Sequence, residues 1–348
     1  MRAAVEDVIT KQRDVGLDLI NDGEYTKGGT WLSFANERLS GFKSVSDSNE
    51  LPLLEQGKDR EEFASFYRYA TEQKTLFYSP PGDRPRGRQQ TFVCTGPIAY
   101  VGHDALMYEL EVLRASDPGE DAFVTSTTPG SLLVYRRNEF YDTDDEFLMA
   151  FAEAMRVEYE AIVAAGFVVQ VDDAWINGMW ERIGMDLGLE GYREYCRKQL
   201  NALNHALRNI PEDRIRYHMC WGSWQGPHAF DLELVHLVDL LLEVKAQAYV
   251  IEGANPRHEH EWQVWRDVPL PEGKILVPGV VTHSTNVVEH PELVAQRIER
   301  YANLVGKQNV IAGADCGFGG RAHPQITWAK LRSLTEGARL ATHHLESA

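Results

Sequence analysis

The feature that most restricts the fold is an alternation, through the second half of the chain, of short apolar runs with longer amphipathic stretches. Phe167–Val171 ends in Asp172-Asp173, and Ile215–Cys220, Ala248–Ile251, Ile275–Val281 and Asn309–Ala314 repeat the pattern, each closing on polar or small residues. The intervening helices carry their own end signals. Thr143-x-x-Glu146 is a capping box ahead of Phe147, Phe151 and Met155 at i+4 spacing. A later helix opens at Pro291 and stops at Gly306. Strand–helix–strand repetition of this kind calls for parallel strands joined by right-handed crossovers. Leu17–Asp22, after an N-terminal helix, and Ala122–Thr127 extend the series to seven barrel-type strands, centred near residues 20, 125, 170, 218, 250, 278 and 312.

A closed (β/α)8 barrel takes eight strands. The chain begins inside what reads as its first helix, so the expectation is an α/β chain forming a TIM barrel that lacks its first strand. Residues 1–348 are expected to form this barrel as a single catalytic domain. The stretch from Ser44 to Thr91 breaks the pattern: it is polar and irregular, includes Pro80-Pro81-Gly82-Asp83, and is expected to leave the barrel. Thr91–Cys94 closes that excursion, near residues 44–95, as an extra strand. A doubly wound open sheet is the competing architecture. The barrel is preferred because the chemically distinctive residues fall at the C-terminal ends of many strands.

Four of those residues form a candidate metal site. His218 and Cys220 lie two apart on one β-prone run and so share a face. Glu252 ends the Ala248–Ile251 run, and Cys316 follows the Asn309–Ala314 run. One imidazole, two thiols and a carboxylate make a soft, mixed set of the kind zinc accepts. Cys94 and Cys196 lie in strand-like and helix-like patterns and are read as packing residues. His258, Glu259, His260 and Glu261 look metal-like, but their spacing sends neighbours to opposite sides, so a solvated loop is expected there. Gly317-Phe318-Gly319-Gly320 is read as a tight turn beside the site.

Partners are narrowed by charge. The chain has 52 acidic against 35 basic residues, a formal −17, which repels nucleic acid and anionic membrane. Only four cysteines in 348 residues make no disulfide framework and suit a reducing compartment. No leader pattern opens the chain and no apolar run reaches the ~20 residues of a membrane span. A cytoplasmic location follows as the expectation; oligomeric state is left open.

The chain resembles the cobalamin-independent methionine synthases, in particular their C-terminal catalytic barrel and the short single-domain homologues. Asn21-Asp22-Gly23-Glu24, Thr95-Gly96-Pro97, Val171-Asp172-Asp173, His218-Met219-Cys220, Ile251-Glu252, Val281-Thr282-His283-Ser284 and Asp315-Cys316-Gly317 match in family order. The resemblance implies that His218, Cys220, Glu252 and Cys316 bind zinc, and that Glu24 and Asp172 hold the ammonium of an amino-acid thiol such as homocysteine. It also implies that His283 protonates the leaving group of the methyl donor. Asp172 and Asp173 have an equally good structural use as turn caps. Two departures stand out. The family's first strand carries a Gly-Ser loop that grips the substrate carboxylate, and this sequence starts downstream of it. The family's third strand is followed by a tryptophan that stacks on the folate pterin, whereas Thr127-Thr128-Pro129-Gly130-Ser131 has no aromatic residue. The resemblance therefore implies a small-molecule thiol and a methyl donor, without assigning methyl-folate.

The expected chemistry is zinc-dependent transfer of a methyl group to a thiol. Within the same family, the alternative is addition of a thiol such as coenzyme M to another electrophile such as an epoxide. A zinc-holding structural protein is the reading from another class, and a carboxylate at a barrel mouth argues against it. Trp221, Trp224, Asn255, Arg257 and Phe318 are expected to shape the pocket, with Arg257 or Arg321 as candidate partners for a carboxylate.

Overall fold

The computed structural model describes residues 1–27, 32–45, 56–78, 91–119 and 122–347. Its strands are β1 (Phe42–Val45), β2 (Thr91–Cys94), β3 (Phe123–Thr127), β4 (Arg136–Asn138), β5 (Val168–Asp173), β6 (Ile215–Met219), β7 (Ala248–Ile251), β8 (Ile275–Val281) and β9 (Gly313–Ala314). Six of them form a parallel sheet in the order β3-β5-β6-β7-β8-β9. That order never reverses, so the sheet has no switch point of the doubly wound kind, and it curls as the wall of a (β/α)8 barrel does.

Strand alternation sorts the side chains. Val124, Val169, Val171, Tyr217 and Ile251 join the buried core. Cross-strand register places the other set in layers: Thr125 beside Gln170 beside Arg216, and above them Thr127 beside Asp172 beside His218. The helices behave as their sequence signals require. Asp144–Ala164 starts from the complete Thr143/Glu146 capping box, and Pro291–Val305 ends at Gly306 with φ +91°.

Three expectations are revised. Leu17–Asp22 is not a strand, although Phe123 N donates to Ile20 O at 3.0 Å, so the segment does lie beside β3. Side chains saturate its backbone instead of a ladder. Gln12 brackets Asn21 through both amide groups, Asn21 Oδ1 accepts from Gly23 N, and Asp22 Oδ1 accepts from Glu24 N. The last strand shrinks to Gly313–Ala314, while Val310 and Ile311 keep a bridge and a hydrogen bond to Leu276. The excursion contains helices at Lys58–Glu62 and Ala64–Gln73; residues 46–55 and 79–90, including Pro80-Pro81-Gly82-Asp83, lie outside the described residues. Thr91–Cys94 is the extra strand, in a second sheet between antiparallel β1 and parallel β4. No helix among the described residues is long and apolar enough to cross a membrane.

A buried ionic network fastens the N-terminal segment to the barrel's outside. Arg38 reaches Glu109 at 2.6 Å and Glu158 at 3.0 Å, and Lys27 stands 3.4 Å from Glu109. Tyr100 and Ser126 donate their hydroxyls to Glu158 at 2.7 Å each. All four ionic side chains are almost fully buried, so each charge depends on the others. Arg38→Ala leaves two buried carboxylates short of their main partner. It is expected to cost about 3–5 kcal/mol, read as a lower denaturant midpoint at unchanged slope; an unmoved midpoint would remove this network from the account of stability.

Candidate metal centre

β6 carries His218 at its end, and Cys220 follows one residue beyond the strand. β9 leads through Asp315 to Cys316, and β7 leads to Glu252. Parallel strands all deliver their C-terminal ends to one rim, which is why residues so far apart in sequence can meet. One ring nitrogen of His218 and the sulfurs of Cys220 and Cys316 lie within 4.8 Å of one another, the one such donor group among the described residues.

The imidazole is oriented from behind. His218 Nδ1 lies 2.8 Å from Asp172 Oδ1, which also accepts from Gln170 Nε2 at 2.9 Å. Nδ1 therefore carries the proton, and Nε2, buried and without a hydrogen-bond partner, is the lone pair left over. The sulfurs differ from each other. A hydrogen bond from Cys220, with the His218 ring close by, holds the Cys316 thiol well below the usual thiol range, against the opposing effect of burial. A half-buried thiolate, a second, buried sulfur and an orphaned imidazole nitrogen converging on one point are what a thiophilic cation requires. The donor set fits zinc.

Glu252 stands just outside this group. It is 4% exposed; its Oε1 accepts from Trp221 N at 2.8 Å and its Oε2 from Asn255 Nδ2 at 2.6 Å. Asp315, absent from the residues singled out by sequence, fixes the geometry around it. Its Oδ1 accepts from both Gly253 N and Ala254 N at 2.8 Å, and its Oδ2 accepts from Asn255 at 3.3 Å. A Cβ on Gly279 would lie 2.1 Å from that Oδ1, so only glycine lets the Asp315 carboxylate through. The signal in the sequence was an acid immediately before Cys316, at the end of an apolar run.

Glu24 and Asp172 approach from the β3–β5 side. Thr125 donates its hydroxyl to Glu24 Oε1 at 2.5 Å, and Lys27 Nζ bonds to Thr125 Oγ1 at 2.6 Å. Burial raises the Glu24 carboxyl, with Lys27 opposing the rise and Asp172 adding to it. The two carboxylates thus feel one another. Glu24 holds a left-handed φ of +59°, a costly backbone state for a non-glycine residue and one that gathers at functional sites. Asp173 serves structure instead. It accepts from Ser131, Tyr217 and Ile176 N at 3.2 Å each, and burial pushes its carboxyl up to about 6.

His283 is 4% exposed with an unpartnered Nδ1; burial lowers its basicity while the charge of Cys316 opposes. Arg257 donates to Ala229 O and Arg321 to Ser223 Oγ, so both are engaged in loops. Trp221 is 1% exposed, donates to Leu232 O and stacks on His258 with centroids 3.9 Å apart, which makes it a core residue. Trp224 donates to Tyr67 OH of the excursion. The excursion also joins the loops after Cys220 and Cys316: Gln225 N donates to Leu76 O, and Tyr78 N to Gly320 O. Arg216, on the same strand face as His218, has an Nε and one terminal nitrogen buried with no partner.

The His258–Glu261 segment is not a solvated loop. It opens a 3-10 helix, Glu259–Arg266, in which His258 and Glu261 are buried. His258 Nδ1 meets Glu261 at 3.0 Å and Nε2 meets Asp231 at 3.0 Å; Asp231 is shared with His228. The spacing argument failed because i,i+3 neighbours share a side in this tight helix.

Comparison with known proteins gives the chain its family. Residues 134–340 match the family described as cobalamin-independent synthase, catalytic domain. The chain is 28% identical over 253 residues to a methionine synthase of Methanothermobacter marburgensis, covering 70% of this chain and 72% of that one. It is 23% identical over 272 residues to a 2-hydroxypropyl-CoM lyase of Xanthobacter autotrophicus, covering 71% and 68%. A B12-independent methionine synthase from Shewanella sp. W3-18-1, solved with selenomethionine, superposes with a TM-score of 0.74 at 16% identity over 100% of this chain and 89% of that one, a likeness of fold.

His258 donates from both ring nitrogens and is therefore an imidazolium. Burial opposes the charge, but Asp231 and Glu261, with Glu252 beyond, push it from 6.5 up to about 9. The folded state holds this proton more tightly than the unfolded chain, so the stabilisation is complete below 6.5 and is lost as pH rises through about 9. Between those limits the wild type is expected to lose up to about 3 kcal/mol more than His258→Gln. Denaturant midpoints across that range measure it, and parallel profiles for the two proteins would refute it.

Proposed function

The chain belongs to the cobalamin-independent methionine synthase family, and from that premise we propose that it is a zinc-dependent methyltransferase acting on a thiol, homocysteine or a close relative. The observation that carries the reading is the convergence of His218, Cys220 and Cys316 with the buried Nε2 of His218 unpartnered. These three would hold zinc, with Glu252 as the fourth ligand. When bound, zinc supplies a Lewis acid that brings the acceptor thiol to its nucleophilic, deprotonated form at neutral pH.

The protein's own groups do the rest. Asp172 keeps the His218 ring in the tautomer that presents Nε2. Asp315 sets the loop of Glu252 against that of Cys316, which places the Glu252 carboxylate, held by Trp221 and Asn255, beside the three other donors. As the hardest donor of the four, Glu252 would be the ligand most readily given up to a soft thiolate. Glu24 and Asp172 receive the ammonium of the amino-acid thiol. His283, buried and with a free Nδ1, delivers a proton to the leaving nitrogen of the methyl donor. The short Pro129–Leu133 helix follows β3 with no aromatic side chain, so the donor is not assigned to methyl-folate.

A second reading is supported by the similarity to 2-hydroxypropyl-CoM lyase: the same centre would present a thiol such as coenzyme M to an epoxide. Two carboxylates gathered where an ammonium would sit favour the amino-acid thiol.

Purified protein is expected to hold about one zinc per chain, and X-ray absorption should show one added sulfur when homocysteine is supplied. Protein that takes up no zinc, or shows no change with any thiol, would leave the family chemistry without its centre. Glu252→Gln is expected to keep zinc and slow methyl transfer; wild-type rates would remove the exchangeable-ligand role.

His283→Ala tests the proton. With an N-methyl donor the rate is expected to fall about 10²–10⁴-fold. With a methylsulfonium donor, whose thioether leaves without protonation, it should hold near the wild-type value. Equal losses with both donors would assign His283 to structure.

A further inference from the structure

Resting on that reading, we infer that Arg216 anchors the carboxylate of the thiol substrate inside the barrel, which makes the substrate class an amino-acid thiol. Arg216 lies on β6 two residues below His218, on the same face, and pairs across the sheet with Gln170 of β5. Nε and one terminal nitrogen of its guanidinium are buried without a hydrogen-bond partner. The Phe123 ring lies 4.2 Å from the guanidinium carbon to the centroid, and the charge of Asp172 acts on the group without a hydrogen bond to it. An aromatic face steadies a cation but accepts no hydrogen bond from the guanidinium edge. Buried donors of this kind are costly unless an acceptor arrives.

Other cations around the centre are already committed. Lys27 bonds to Thr125 and faces Glu109. Arg257 and Arg321 donate to loop acceptors. Among the described residues, Arg216 is the cation whose open donors share a lumen face with the site. Its position also has the right depth. Two strand residues span about 7 Å, close to the length of an extended four-carbon amino-acid thiol with its sulfur at the level of His218. Asp172 sits one layer above Arg216, beside His218, with Glu24 near it. The lumen thus presents sulfur ligands at the rim, Asp172 level with His218, and Arg216 one layer below with Thr125, to which Glu24 is bonded. An amino-acid thiol carries the complementary groups: thiol, ammonium and carboxylate. A carboxylate bound by the two terminal nitrogens, or by Nε and the outer terminal nitrogen, would supply one of these buried donors with the acceptor it lacks.

The test is calorimetric binding to the zinc-loaded full chain, with L-homocysteine, its decarboxylated counterpart 3-aminopropane-1-thiol, and 2-mercaptoethanesulfonate as probes. Arg216→Gln is expected to weaken L-homocysteine about 10- to 100-fold, leaving 3-aminopropane-1-thiol within about twofold, and Arg216→Lys should recover part of the loss. Zinc content and melting temperature show whether each variant is folded. On the wild type alone, 3-aminopropane-1-thiol should bind at least about 10-fold more weakly than L-homocysteine. Equal affinity for those two probes, or equal weakening of both by Arg216→Gln, would overturn the assignment. Tighter, Arg216-dependent binding of 2-mercaptoethanesulfonate would overturn the amino-acid class and give the guanidinium to a sulfonate. A wild type that binds none of the thiols sinks the methyl-acceptor reading itself, a result separable from loss of Arg216 dependence alone.

Discussion

One carboxylate holds the rim together. Asp315 accepts two backbone N–H groups from the loop after β7 and a side-chain amide from Asn255, while its own N–H reaches Val281 O on β8. Three strand ends are tied through a single residue with no exposure to solvent. Because Cys316 is its chain neighbour and Glu252 precedes the two N–H groups it binds, the spacing between a sulfur and a carboxylate is set by this knot. The small volume of Gly279 makes the knot possible. A charged acceptor bound by buried donors is among the stronger local restraints a fold can build.

The barrel wall was legible because it is written in a local code. Apolar runs of strand length, capped helices and a glycine stop each constrain a handful of consecutive residues, and the sheet then follows in sequence order. Leu17–Asp22 misled for a local reason too. Its apolar start reads as a strand, yet Asn21 and Asp22 satisfy nearby N–H groups with their own side chains, and the backbone turns instead of pairing. The cysteine and histidine positions were readable from strand ends. What could not be read was which groups answer which: that Asp172 turns toward His218, that Asp173 turns away to Ser131 and Tyr217, and that Glu252 rests on Trp221 and Asn255. Most of those choices depend on packing between segments 31 to 46 residues apart.

Behind the rim lies a layer of aromatic and ionic contacts that bears on the site indirectly. His258 stacks on Trp221, whose N–H supports Glu252, and Asp231 links His258 to His228 and so to Trp224. Tyr67 of the excursion joins Trp224 and donates to Asp59, which itself accepts from Ala229 N. The excursion is therefore part of the wall around the loop that follows Cys220. A polar tract in sequence has become a buried support, through an aspartate that is 1% exposed.

The unbroken strand order has a consequence for assembly. Synthesis proceeds from the amino end, and the sulfur of Cys316 is made about a hundred residues after that of Cys220. A growing polypeptide on the ribosome thus displays His218 and Cys220 for a long interval with no means of closing a cage around an ion. On the proposed reading, firm capture of a cation would await release of the final strand, which would make metal loading a late, post-translational act. The wait also exposes one half-built sheet edge, the state in which such chains are most in need of chaperones.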